Sequence, residues 1–99
     1  MKIAIIGAGN MGGAVARGLA KGSLVKTSDI TVSNPSREKL EALKVELPEL
    51  NITCENSRAA VGADVVILAV KPWKIQEVID EIKGGLDYDN QAIASMAGG

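Results

Sequence analysis

The chain has 99 residues, enough for one domain. Apolar residues make up 46% of it, yet Phe is absent and Trp and Tyr occur once each, so the core must be built from Ile, Val, Leu and Ala, as in a buried parallel sheet. Basic residues number 11 and acidic residues 12, interspersed to a net charge of −1, which offers no electrostatic footprint for nucleic acid or an anionic membrane surface and favours small-molecule ligands. With no His and a single Cys54, neither a His/Cys zinc centre nor an internal disulfide is available, and a reducing, cytoplasmic compartment fits. The first apolar run is too short for a signal peptide or a membrane span, so a soluble protein is expected.

Along the chain, apolar runs alternate with stretches of helical periodicity, with no repeat or low-complexity linker between them, a βαβαβ order. Lys2 to Ile6 reads as the first strand, and Asn10 to Lys21 as a helix with Met11, Val15 and Leu19 on one stripe and Gly22 as its C-cap. Ile30 to Ser33 predicts the second strand. Pro35 and Ser36 then open a helix carrying Leu40, Leu43 and Leu47, which Pro48 stops. Leu50 to Cys54 predicts a short third strand and Ser57 to Val61 a brief helix. The strongest strand signal is Asp64 to Val70, whose continuous apolar run calls for burial on both faces. Pro72 suits a first helical turn, Ile75, Val78, Ile79 and Ile82 form an apolar face ending near Gly84 and Gly85, and Gln91 to Met96 predicts a fifth strand. The chain stops at Gly98 and Gly99, at a strand's carboxyl end where an α/β protein would be expected to carry on, so a fragment of a longer enzyme is expected. The fold class that follows is α/β, a Rossmann-type doubly wound and mainly parallel sheet in three α/β/α layers.

The chemistry concentrates in Gly7-Ala8-Gly9-Asn10-Met11-Gly12, a G-x-G-x-x-G directly after a strand and directly before a helix. Gly7 permits the tight turn, Gly9 leaves room for a pyrophosphate against the backbone, and Gly12 lets the helix pack close to the first strand. Free N–H groups and the helix dipole attract the phosphates. A glycine turn that only caps a helix is the plainer alternative, but three glycines in the right strand and helix context point to a dinucleotide.

About twenty residues after the last glycine, an NAD-binding unit places Asp or Glu at the end of its second strand to accept from the ribose 2′-hydroxyl. This chain has Ser33 and Asn34 there, and the only nearby acid, Asp29, precedes the strand and reads as a solvated turn residue. Without that carboxylate a 2′-phosphate is not repelled. Ser33, Asn34 and Ser36 can donate to it, and Arg37 offers a fixed positive fork or is an ordinary first-turn residue. NADPH is therefore the preferred cofactor, with NADH possible. At the end of the fourth strand, Ala69-Val70-Lys71-Pro72 falls at the point where strand order reverses and open α/β sheets bind ligands. Lys71 reads either as a phosphate-binding or catalytic amine or as a solvated helix-entry residue. Trp73 reads as a packing or domain-interface residue, Asn56 as a ribose contact or a helix cap, and Cys54 as a small buried hydrophobe.

These residues resemble one family over essentially the whole chain: the pyrroline-5-carboxylate reductases, which reduce the ring imine of pyrroline-5-carboxylate to proline with NAD(P)H. The resemblance rests on IGAGNMGGAVARGL from Ile6, VSNPSREKLEAL from Val32, ADVVILAVKPW from Ala63 and the terminal SMAGG. It implies that Ile6, Gly7, Ala8, Gly9, Asn10 and Met11 bind pyrophosphate, that Asn34 with Ser33, Ser36 and Arg37 faces the adenosine ribose, and that Asn56 contacts the adenosine side. Ala69, Val70, Lys71 and Pro72, with Ser95, Met96 and Ala97, would flank the nicotinamide. Members of the family often carry Arg directly after the asparagine of the second-strand turn, where this chain has Pro35, which weakens the preference for NADPH. The resemblance also implies a second, helical domain that forms an intertwined dimer and supplies most contacts to the imino acid. The expectation is thus a homo-oligomer whose cofactor-binding part, alone, is inactive. No residue of this chain is a confident proton donor or metal ligand. Two alternatives stand beside this reading: the coenzyme domain of a 3-hydroxyacid or 6-phosphogluconate dehydrogenase, and a module that senses NAD(P)H without chemistry.

Overall fold

The computed structural model describes residues 1–96. Five strands, β1 (Ile3–Ile6), β2 (Ile30–Ser33), β3 (Asn51–Thr53), β4 (Val65–Leu68) and β5 (Ala92–Ser95), form one sheet in the order β3-β2-β1-β4-β5, every pairing parallel. The helices are α1 (Asn10–Lys21), α2 (Arg37–Glu46), α3 (Asn56–Ala60) and α4 (Ile75–Ile82). Parallel neighbours need long crossovers, and these helices supply them. Side chains alternate between the two faces of a strand, and β1 shows the result: Ile3 and Ile5 join the cluster under α1 and α2, whereas Ala4 and Ile6 join the cluster under α3 and α4. Helices on both faces make three layers, the Rossmann-type doubly wound architecture expected. β1 lies at the centre, and all four of its residues are buried.

The order of strands reverses at β1, where the chain first steps outward to β2 and β3 and then returns to place β4 on β1's other side. A crevice at the carboxyl ends of β1 and β4 is the consequence. The backbone continues the ladder one residue past the strands there: Gly7 N–H donates to Ser33 C=O at 2.7 Å, Ala69 N–H to Ile6 C=O at 2.9 Å and Met96 N–H to Leu68 C=O at 2.9 Å.

Four details depart from the sequence reading. In α1 the residues fully against the sheet are Gly12, Gly13 and Ala16, with Val15 and Leu19 only partly buried beside them, because a helix lying this close to the strands admits only small residues at the contact. β4 is buried at Val66 and Leu68 but half-buried at Val65 and Ile67, since α1 and α2 lie over β1 to β3. Cys54 is exposed rather than a buried hydrophobe, because it follows an edge strand of three residues. Trp73 is 76% exposed, so of its two readings the packing one falls and the domain-interface one stands; it lies on the 3-10 turn Pro72–Lys74 that leads into α4. No helix among the described residues is long and apolar enough to cross a membrane.

Candidate functional site

The three glycines of the first turn have three different surroundings. Gly7 sits at φ 110°, where an L side chain is strained, and a Cβ there would come within 2.5 Å of the Ala69 carbonyl oxygen. A Cβ on Gly12 would overlap the Gly7 carbonyl oxygen and touch Ala69 Cβ. Gly9 differs: a Cβ built on it meets nothing within 4 Å. Two glycines therefore close the turn against β4, and the middle one leaves open space over the backbone.

That space lies at the start of α1. Gly9 is its N-cap and provides no side-chain cap, and no acidic residue lies in the first turn. Gly13 N–H donates to Gly9 C=O at 2.8 Å, and the amides of Asn10, Met11 and Gly12 precede it at the helix start. Their partial positive charge and the dipole of a 12-residue helix favour a negative group at this end. Asn10 is exposed and Met11 half-exposed at the mouth.

The carboxyl end of β2 borders this turn. Ser33 is fully buried, and its hydroxyl donates to Asn56 Oδ1 at 2.8 Å, so it faces inward and supports the asparagine rather than presenting a donor to solvent. Asn56 is the first residue of α3, whose N-cap is Glu55; its amide nitrogen points to the Glu81 carboxylate of α4 at 3.4 Å. The Asn34 side chain bridges two backbones, accepting from Ala8 N–H at 3.1 Å and donating to Ser36 C=O at 3.2 Å. Ser36 is the N-cap of α2 and makes no side-chain capping bond, and Arg37, the first residue of that helix, is 64% exposed and pairs with Glu41 at 3.4 Å. Arg37, exposed, and Ser36, half-buried, are the polar side chains at the rim. Asp29, by contrast, lies in the 3-10 turn before β2, at the opposite edge of the sheet.

Across the crevice, Ala69 is buried, Val70 half-buried, and Lys71 and Pro72 exposed, Pro72 opening the turn into α4 as its fixed φ suits. Ser95 ends β5 and Met96 follows, 41% exposed; Ala97 lies outside the described residues. The structure thus brings Ile6 to Gly12, Asn34, Ser36, Arg37 and Ala69 to Pro72 to one edge of the sheet. A cavity of about 390 Å³ opens at the amino ends of the strands, lined by Lys2, Asp29, Asn51, Arg58 and neighbours, and two of its polar side chains are already paired: Asn51 donates to the Ser28 and Ile30 carbonyls, and Arg58 pairs with Glu55. Among the described residues no group of His, Cys, Asp and Glu could hold a metal ion.

Sequence reasoning missed the bonds that tie this edge together. Nothing in the spacing of Ser33, Asn34 and Asn56 reveals that all three side chains face other protein groups.

The family profile described as "NADP oxidoreductase coenzyme F420-dependent" matches residues 2–98. The chain belongs to that family. Within it, the pyrroline-5-carboxylate reductase of Corynebacterium melassecola is 42% identical over 99 residues, which cover 98% of this chain and 36% of that protein. A pyrroline-5-carboxylate reductase structure from Coxiella burnetii superimposes with a TM-score of 0.89 at 35% identity, over 97% of this chain and 35% of the other. The Plasmodium falciparum pyrroline carboxylate reductase, solved with NADP bound, gives a TM-score of 0.80 at 28% identity over 99% of this chain and 34% of that one. The resemblance read from the motifs is borne out by these relatives. The chain spans about a third of the length of the proteins it matches.

Proposed function

We propose that this chain is the coenzyme-binding part, residues 1–99, of a reductase that converts pyrroline-5-carboxylate to proline with NADPH, and with NADH less well. The observation that carries the reading is the open space over Gly9 at an uncapped helix start, within a sequence 42% identical to a pyrroline-5-carboxylate reductase. The residues present fit the group. Asn10, Met11 and Gly12 would hold the diphosphate through their amides, Ser36 and Arg37 would meet the 2′-phosphate, and Asn56 the adenosine side. Ala69 to Pro72, Ser95 and Met96 would flank the nicotinamide. When bound, the reduced nicotinamide supplies the hydride for the C=N carbon, and this chain's part is to orient it. Contacts to the imino acid, proton delivery and homo-oligomer formation are assigned to a helical domain following this one, in a cytoplasmic enzyme.

Oxidation of NADPH followed with pyrroline-5-carboxylate tests the reading, using both the 99-residue chain and the longer protein that carries it. The longer protein should oxidise NADPH, and the short chain should bind it without turnover. Turnover by the short chain would overturn the division of labour. A longer protein that ignores the imine and instead oxidises 3-hydroxyacids with NADP⁺ would overturn the substrate.

A further inference from the structure

We propose that Asn34 is a positioning residue, which holds the glycine turn in its phosphate-binding shape and does not itself read the cofactor's 2′-substituent; this rests on the dinucleotide reading above. Its side chain has two polar ends, and both meet the backbone. The carbonyl oxygen accepts from Ala8 N–H at 3.1 Å, and the amide nitrogen donates to Ser36 C=O at 3.2 Å. Its own backbone N–H donates to Thr53 C=O at 3.2 Å, so the residue is anchored on a third segment.

Each of these bonds has a consequence for the turn. With Gly7 N–H on Ser33 C=O and Ala8 N–H on Asn34 Oδ1, the first two amides after β1 are occupied, and the amides left for an anion are those at the start of α1. Glycine is conformationally free, and a turn with glycines at 7 and 9 has many shapes to lose on binding. The Asn34 bridge removes some of that freedom in advance, tying Ala8 to a side chain 26 residues on and, through Ser36 C=O, to the start of α2. The side chain is half-buried, which limits competition by water. Discrimination of the 2′-phosphate then falls to half-buried Ser36 and exposed Arg37 at the rim.

The two roles separate experimentally. A reader of the 2′-phosphate affects NADPH alone, and a residue that shapes the turn affects NADPH and NADH by the same factor. Calorimetric titration of the full 99-residue chain and its Asn34→Ala variant with both nucleotides should give a common loss of about three- to tenfold, the worth of one hydrogen bond. Asn34→Asp keeps an acceptor for Ala8 N–H and should hold NADH within about twofold of the parent, a rescue that a general loss of packing would not permit. Hydrogen exchange gives a readout that needs no nucleotide: the Ala8 amide should be protected in the parent, exposed in Asn34→Ala and protected again in Asn34→Asp. In the parent it should stay protected when NADPH is added, while the Asn10, Met11 and Gly12 amide resonances move. If Asn34→Ala fails to fold, these parent measurements decide. Loss of NADPH binding alone, no loss of either, or an unprotected Ala8 amide in the parent overturns the positioning role. A parent chain that binds neither nucleotide overturns the dinucleotide reading itself.

Discussion

Around Gly7 and Gly12 the backbone is packed so closely that one added carbon would overlap a carbonyl oxygen, whereas β5, two strands away, exposes all four of its residues and contributes none to either buried cluster. Both regions lie on one parallel sheet, and such sheets are ordinarily covered on both faces. The glycine turn is cross-tied by Ser33, Asn34 and Ala69 and is complete within this chain. β5 pairs with β4, and Gln91 just before it donates to the Ala60 and Ala63 carbonyls. The turn that would hold a diphosphate is thus packed against the chain's own backbone, whereas the β5 residues that would flank a nicotinamide are exposed.

The largest effect should come from breaking the close side. Gly12→Val drives a branched side chain into the Gly7 carbonyl, where backbone cannot yield, and the cost should exceed about 3 kcal/mol, enough to abolish cooperative thermal unfolding in a small domain. Next comes a matched pair of truncations. Ile5→Ala, in the fully buried centre of β1, should cost about 2–5 kcal/mol, and Ile93→Ala on β5, 42% exposed, under about 1 kcal/mol, both measured by urea denaturation. Equal costs would mean that β5 is as well packed as β1 and would remove the contrast.

Much of this fold was legible because parallel strands buried between helices read as short apolar runs, and all five were located, β2 at its observed bounds and the other four one or two residues too long at an end. The glycine motif was legible for a related reason: strand, three glycines and helix meet at fixed offsets, and each glycine answers one steric demand. What escaped was direction. Ser33 and Asn34 both look like available donors in a sequence, and only the fold shows that one faces inward to Asn56 and the other bridges to Ala8. The exposures of Cys54 and Trp73 escaped for the same reason, since both depend on what lies over a short edge strand or an entry turn rather than on the residue's own hydrophobicity.

Smaller effects sharpen the comparison at the rim. Arg37→Ala should weaken NADPH about tenfold and leave NADH nearly unchanged, the low end of a charge-assisted bond because the side chain is 64% exposed and salt screens it. Equal weakening of both nucleotides would remove Arg37 as a phosphate reader. The smallest effect concerns the Arg17–Glu46 pair, which joins α1 to α2 at 2.6 Å in the open. Its hydrogen bond to Arg17 holds the Glu46 carboxyl below its usual range, and that bond likewise raises Arg17. A carboxyl with a lowered folded pKa contributes stability above its unfolded pKa and loses it as pH falls through the folded one. The small gap in melting temperature between the parent and Glu46→Gln should therefore be present at pH 7 and close as the pH drops below about 4.

The most direct test of the central claim is calorimetric titration of NADPH into the parent chain and into Gly9→Val at one salt concentration, with the melting temperature of each. Gly9 has φ −73°, which valine tolerates, and a Cβ there meets no protein atom within 4 Å, so the variant should fold as the parent does. The parent should bind NADPH at one site, and Gly9→Val should lose that binding at an unchanged melting temperature, because its side chain fills the space the diphosphate needs. Parent-like affinity in a folded Gly9→Val would place the nucleotide elsewhere and contradict the account.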